Sequence, residues 1–452
     1  MSIFQLFKPE LEVEWNSTQK FILRTLSVFF VILSVPLDWK YFRDLYALDW
    51  TGFNYGVLFE ITRYFPRVVG EVPVLFDVFL VLGFSLISSW VWSRVEKSEP
   101  NWDALYKVLR ILVRYRLAAA LLAYAYIKIF PIQSPYPSIT LLNTAYGDLS
   151  ACKIFSLSLG IVPDYQTFLG LFELLAALLL LNRKTASIGA FIAILFLGNV
   201  AMSNPAYEGG EFVYSGVLVL FATFTFLHTW PKFYTLLFLR KRTVPETYSR
   251  PLASRISATT SLAIKYSFIL VFVVGYGVLV YVGYANELTK YPNSQGLEGL
   301  AGVYDVQEFV VNGDTIPYRD DAGSKRWNRV VFEEWATLAI ETDEEQIVDF
   351  ANTEYIGVSN QTRLYETQGI QGWKFYEYDY SEDKKTLSLV NRNPDYSHET
   401  LQINLLSAVD GRLEVAGKDS YGNDFQAVLI RNTTKYLLQE AKNAGRRGKL
   451  IL

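Results

Sequence analysis

Two charged residues stand inside apolar runs of this 452-residue chain, and their types and spacing make the strongest chemical signal in it. Glu173 lies eight residues into the run 165–181, and Lys128 lies three residues before Pro131 at the end of the run 111–130. By helical rise they sit roughly 12 Å and roughly 4.5 Å below the same boundary, a gap that a lysine side chain can bridge. A charge in apolar surroundings is costly unless paired or hydrated, so each is the other's natural partner. Gly170, Ala176 and Ala177 share a helical face with Glu173. Small residues there permit close helix contact and turn Glu173 into a bundle rather than toward lipid. Asn199 and Asn204 close the run 186–202 on the same side, Asp77 opens the run 72–92, and Tyr126 and Gln133 flank Lys128. Together these residues define an outward-facing polar pocket. Two readings stay open for it: a structural pair that fixes helix register, or a site that holds a ligand or handles protons.

Other candidates carry less. Arg114 and Arg116 flank Tyr115 at the start of the same run, where they can snorkel to anionic headgroups or hold an anionic ligand. Cys152 is the single cysteine, which excludes an internal disulfide and a CxxC redox pair, and His228 and His398 are too far apart in sequence to suggest a metal centre. No haem, iron–sulfur or nucleotide motif is present, and a net charge of −3 carries no nucleic-acid footprint. Trp327, Trp335 and Trp373 read as core or rim aromatics.

The elements that position these residues are helices long enough to span a bilayer, which takes roughly 20 apolar residues each. Seven stretches qualify: 21–37, 72–92, 111–130, 165–181, 186–202, 212–229 and 266–284. Basic residues favour one set of connections by 15 to 5, with Lys8, Lys20, Arg94, Arg183 and Arg240–Arg242 on one side and Lys40, Arg43, Arg63, Arg67 and Lys153 on the other. The positive-inside rule then puts the N-terminus in the cytoplasm and the C-terminus outside. Beyond Tyr284 the chain becomes polar and alternates at period two, as in 373–380 and 400–406, with turn signals at Asn312-Gly313 and Asp410-Gly411. The expected fold is a polytopic α-helical membrane protein of about seven spans followed by an all-β barrel or sandwich. Its expected divisions are 1–110, the bundle 111–239, 240–292, a β domain at 293–432 that folds alone, and a basic tail at 433–452.

Residues 114–239 resemble the DoxX-like membrane protein family. The resemblance rests on Arg114-Tyr-Arg116, Tyr126-Ile-Lys-Ile-Phe-Pro-Ile-Gln133, Pro135, Gly147-Asp148, Tyr165-Gln-Thr-Phe-Leu-Gly170, Glu173, Asn182-Arg-Lys184, Gly189-Ala190, Asn199 and Asn204. It departs at Tyr207-Glu-Gly-Gly-Glu211, where a more basic stretch is expected. The resemblance implies a four-helix bundle core in a bacterial cytoplasmic membrane. It also implies an accessory role in membrane oxidoreduction, with a quinone or other lipophilic molecule near the outer face and membrane lipids as partners. The sequence holds no intrinsic catalytic motif. The alternative class is a non-enzymatic scaffold or lipid-handling protein whose β domain binds a partner. The opening of that domain, Gly299-Leu-Ala-Gly-Val-Tyr-Asp305, resembles a lipocalin-type barrel but lacks the usual tryptophan.

Overall fold

The computed structural model describes residues 15–48, 50, 54–243, 258–286, 291–292, 294–318, 324–349, 365–381, 383 and 385–444. Lys8, Arg242's neighbours from 244 to 257, the linker residues 287–290 and 293, and the basic end 445–452 lie outside the described residues. The chain forms two compact units. The first holds Met1–Ser134 and Val162–Glu287; the second holds Pro135–Ile161 together with Leu288–Ala351 and Gly357–Leu452. The expected bundle 111–239 is therefore interrupted, because Pro135–Ile161 groups with the strands.

In chain order the helices begin with α1 (Ser17–Ser34), α2 (Trp39–Tyr46), α3 (Tyr55–Thr62), α4 (Leu75–Val95) and α5 (Trp102–Ile129). Next come α6 (Ile139–Leu142) and α7 (Ala151–Gly160) of the second unit. The first unit resumes with α8 (Pro163–Leu181), α9 (Ala186–Ala206), α10 (Phe212–Leu227), α11 (Trp230–Leu237), α12 (Ala258–Phe268) and α13 (Tyr276–Ala285). Among the described residues, five stretches are long and apolar enough to cross a membrane: Ser17–Tyr46, Leu75–Val95, Pro163–Leu181, Ala186–Ala206 and Thr259–Ala285. The pair α10 and α11, bent by 69°, makes a sixth if counted as one span.

The remaining expected span, 111–130, lies in α5, where Arg114, Arg116 and Lys128 interrupt the apolar run. Its position explains the tolerance. α5 is the hub of the unit, packed against α1, α3, α8, α10 and α13, with Val113, Leu117, Ala118, Ala120 and Leu122 wholly buried. Its charges face protein, not the surroundings. The outer helices do the reverse: Phe79, Phe84 and Ile87 of α4, Leu171 and Leu175 of α8, and Val278 of α13 are exposed.

α3 falls in what the sequence reads as a simple loop, yet Tyr55, Val57, Leu58 and Phe59 are buried. Tyr55, Leu58 and Phe59 pack with Ala123 and Ile127 of α5 and Tyr276 and Val280 of α13.

In the second unit the strands are β1 (Gly302–Val311), β2 (Asp314–Thr315), β3 (Arg329–Phe332), β4 (Thr337–Glu341), β5 (Trp373–Tyr380), β6 (Thr386–Asn391), β7 (Thr400–Val409), β8 (Arg412–Asp419) and β9 (Asp424–Arg431). The short α14 (Leu437–Ala444) follows them. Every pairing is antiparallel, the order is β2-β1-β3-β4-β5-β6-β7-β8-β9, and β1 also pairs with β9. Eight strands thus close into a barrel, and β2 is a short hairpin arm on β1. Closure leaves no edge along the eight strands for a further strand to join. The hairpins at Asn312-Gly313 and Asp410-Gly411 hold both central residues at positive φ (52° and 90°, 48° and 78°), the type I′ geometry that matches strand twist.

Alternation sends one face of each strand inward. Phe309, Trp327 and Phe425 stack inside with Phe332, Ile340, Tyr378, Leu389, Ile403, Val415 and Leu429. The interior is a filled core, so the lipocalin-like opening leads into packed side chains. The other face of β1, β3, β4 and β5 is covered rather than solvated. Val303, Val331, Ala339, Trp373 and Phe375 pack with Leu141 of α6, with Leu149 and Leu157, and with Tyr291, Tyr365 and Ile370. The expected self-sufficient β domain at 293–432 is therefore short of one layer, which Pro135–Ile161 supplies.

Candidate functional site

Lys128, in the last turn of α5, and Glu173, near the middle of α8, form a buried ion pair with Nζ 2.8 Å from Oε2. Only 8% of Lys128 and 2% of Glu173 is exposed. Glycine sets up the contact. A Cβ on Gly170 would fall 2.6 Å from both the Ala125 carbonyl oxygen and the Ile129 nitrogen, so α8 lies directly on the α5 backbone. Gln166 (buried) holds the same end of α5 by bonding both the amide and the carbonyl of Ser134 at 2.9 Å.

Tyr124, one turn before Lys128, connects this pair to a second one. The Lys128 ammonium lies 5.2 Å from the Tyr124 ring centre, and the Tyr124 hydroxyl donates to Glu211 Oε2 at 3.2 Å. Glu211, at the start of α10, pairs with Arg63, whose other partner is Glu60 at 3.4 Å. Tyr214, beside Tyr124, donates to the Thr62 carbonyl at 3.1 Å. Arg116 donates to the Tyr64 carbonyl at 2.7 Å and to the Tyr214 hydroxyl at 3.4 Å. Glu60, Arg63, Glu211, Tyr124, Lys128 and Glu173 thus form a series of polar contacts graded from the surface inward. The Glu60 side chain is 45% exposed and that of Glu173 is 3% exposed.

The remaining sequence candidates divide. Asn204 belongs to the cluster indirectly: its Oδ1 accepts from the Glu211 amide at 3.2 Å and so places that carboxylate. Asn199 is exposed on α9 and does not join the pocket, because the helical turn directs it away from α8. Asp77 is wholly buried, but accepts the amides of Val68, Val69 and Val74 at 3.0 Å, so it closes the loop before α4 instead of entering the pocket. Tyr126 points to the opposite side of α5 and donates at 2.6 Å to the Val273 carbonyl, in the π-helical stretch Ile269–Gly275 between α12 and α13. Such a stretch leaves carbonyls without their α-helical donors, and Tyr126 serves one. Gln133 is buried in the turn after α5. Arg114 and Arg116 part company: Arg116 joins the tyrosine cluster, and Arg114 is buried near the middle of α5.

Sequence reasoning misses Arg63, Tyr124 and Glu211. The spacing of Tyr124 four residues before Lys128 is the one available signal, since i and i+4 share a helix face.

It also misses two buried carboxyl groups in the second unit. Glu333 accepts from the Ile139 amide at 3.0 Å and from the Thr140 amide and hydroxyl at 2.8 and 2.6 Å. Burial nevertheless raises its pKa. Glu366 accepts from Trp335 Nε1 at 2.8 Å, and burial, reinforced by the nearby Glu333, pushes its pKa up to about 8. Lys153 donates to the Tyr365 carbonyl and lies 3.7 Å from that ring's centre. No group of three or more His, Cys, Asp or Glu among the described residues is arranged to hold a metal ion.

No family model, curated protein or solved structure matches the chain.

Proposed function

We propose that the helical unit is embedded in a bacterial cytoplasmic membrane, with the N-terminus in the cytoplasm and the barrel outside. In this reading the cluster around Lys128 and Glu173 binds the polar head of a quinone or similar lipophilic molecule near the outer face. The protein then serves as an accessory to membrane oxidoreduction. The observation that carries the reading is the graded series from half-exposed Glu60 to buried Glu173, linked through Arg63, Glu211, Tyr124 and Lys128. A quinone that accepts two electrons also takes up two protons, and a chain of ionisable groups from surface to interior is what that exchange requires. Electrons would come from a partner enzyme. The exposed apolar faces of α4, α8 and α13 suit lipid, the basic residues are biased 15 to 5, and the DoxX-like motifs supply the quinone class.

The test is extraction of the detergent-purified protein followed by mass spectrometry of the bound lipids. A quinone present near one per chain in the wild type and lost in Lys128→Met/Glu173→Gln supports the reading. Equal background levels in both remove it.

A scaffold role for the barrel is the second reading. Its filled interior favours a surface contact over an enclosed ligand, and Leu406 and Val409 stand exposed on β7. Crosslinking from a photoreactive residue at Leu406 in intact cells would trap a partner in one discrete band. A smear or no product argues for the first reading alone.

A further inference from the structure

α11 leaves α10 at a bend of 69° and packs on the helical unit by one side. Phe233 lies 5.4 Å from Phe191 of α9 and 5.3 Å from Phe226 of α10, ring centre to ring centre. Leu236, Leu237 and Phe238, by contrast, are more than half exposed, and Tyr234 and Leu239 are exposed as well. Trp230, Tyr234 and Phe238 recur at every fourth position, with successive ring centres 6.1 and 5.2 Å apart, and make an aromatic stripe along the helix.

Arg240, Lys241 and Arg242 follow this apolar stretch directly. All three are exposed, and among the described residues no carboxylate pairs with them. From 212 to 245 the chain carries no Asp or Glu. Arg240 holds a φ of 52°, the left-handed conformation that glycine adopts at less cost, and the Lys241 amide donates to the Thr235 carbonyl at 3.1 Å. The turn that ends α11 thus keeps a cation where glycine is the easier residue.

Residues 212–229 rise roughly 27 Å by helical geometry, close to a hydrocarbon core of about 30 Å. The bend therefore falls where a crossing segment reaches the bilayer boundary, and a helix turned through 69° there runs along the surface. Its aromatic and leucine side chains match the layer between headgroups and acyl chains, where Trp and Tyr rings collect. An apolar protein partner would cover those side chains but leave three cations without a counter-charge. A soluble acidic partner would do the reverse. The face of an anionic bilayer supplies both, with acyl chains beneath a layer of phosphates.

We infer that α11 and Arg240–Arg242 form a foot that lies on the membrane and binds anionic phospholipid headgroups. The inference rests on the membrane reading above and deepens it, placing the foot on the cytoplasmic leaflet. Leu237 and Phe238 enter the acyl boundary, and the three cations hold phosphates beside them.

The experiment places a nitroxide at Phe238→Cys in a Cys152→Ser background of the full chain. The protein is reconstituted into vesicles of phosphatidylcholine alone or mixed with phosphatidylglycerol. A second label, at Leu171→Cys on the exposed face of α8, reports whether the helical unit lies in the bilayer. Collisions with oxygen, which concentrates in lipid, and with a water-soluble nickel chelate define the surroundings of each label. The expected result at 238 is oxygen access with shielding from nickel, and a further fall in nickel access when phosphatidylglycerol is present. Arg240→Gln/Lys241→Gln/Arg242→Gln should abolish that further fall, and so should high salt. Oxygen access at 171 with free nickel access at 238, or an equal response to phosphatidylglycerol in the triple variant, overturns the foot and leaves the membrane reading standing. Shielding from both quenchers at 238 assigns the face to a protein contact and also overturns it. Nickel access at both positions defeats the foot and the membrane reading together. Native mass spectrometry of chains that keep Cys152 gives a separate readout. Wild type should retain phosphatidylglycerol through exchange into neutral detergent about tenfold or more over the triple variant, and equal retention overturns the proposal.

Discussion

Thr140 gives Glu333, 193 positions further along the chain, two hydrogen bonds, from its amide at 2.8 Å and its hydroxyl at 2.6 Å. The carboxylate thereby caps the first turn of α6 and fastens it to the residues between β3 and β4. Most of the attachment is apolar, since Leu141, Leu149 and Leu157 cover one outer face of the barrel.

Residues 293–431 expressed alone should therefore expose that face and associate. The same fragment joined to 135–161 through a flexible linker should be monodisperse by size-exclusion chromatography. Its melting temperature should also be higher. A bare fragment that is monodisperse and equally stable would show that the added layer contributes nothing to the barrel.

The Lys128–Glu173 pair should couple strongly. Glu173→Gln alone leaves a buried ammonium without its counter-charge and should destabilise the chain by about 3–5 kcal/mol. Lys128→Met with Glu173→Gln should recover much of the loss, measured as resistance to unfolding in detergent. Losses that simply add around the double-mutant cycle would contradict the 2.8 Å contact.

Gly170→Ala forces a methyl group against the α5 backbone and should cost about 1–3 kcal/mol. Gly216→Ala on α10 meets nothing within 4 Å and should stabilise by about 0.5–1 kcal/mol, because glycine is a poor helix former. Thermal melts of the two variants should move in opposite directions.

Glu366 makes stability depend on pH in a definite direction. Its folded pKa, about 8, lies above the ordinary value of 4.5, so the folded chain keeps a proton that the unfolded chain releases. The favourable contribution is complete below about pH 4.5 and falls by about 1.4 kcal/mol per pH unit until about pH 8. Glu366→Gln keeps an acceptor for Trp335 and cannot ionise. The difference in melting temperature between variant and wild type should therefore grow in favour of the variant from pH 5 to pH 8. A constant difference across that range would mean that Glu366 ionises as an ordinary carboxylate.

The strands were legible because half of each one writes its environment into the chain. Leu401 and Ile403 point inward between Gln402 and Asn404, and Asn312-Gly313 and Asp410-Gly411 mark turns that few other residues permit. Lys128 and Glu173 were legible because a charge in an apolar run has few stable surroundings. Arg63 and Glu211 are 148 residues apart in polar connections, where a charge is unremarkable. Glu333 and Glu366 look like solvent-facing carboxylates in the sequence, yet both are buried in the fold. The burial of α3 and of Pro135–Ile161 depends on tertiary contacts that no local periodicity encodes.

The docking of Pro135–Ile161 onto the strands fixes a parity. Two segments that pack together must lie in the same compartment, so in the proposed bilayer the chain between Ile161 and Leu288 crosses an even number of times. α8, α9 and the α12–α13 stretch account for three crossings. The bent pair α10–α11 must then be a complete fourth crossing and not a hairpin that returns to its own side.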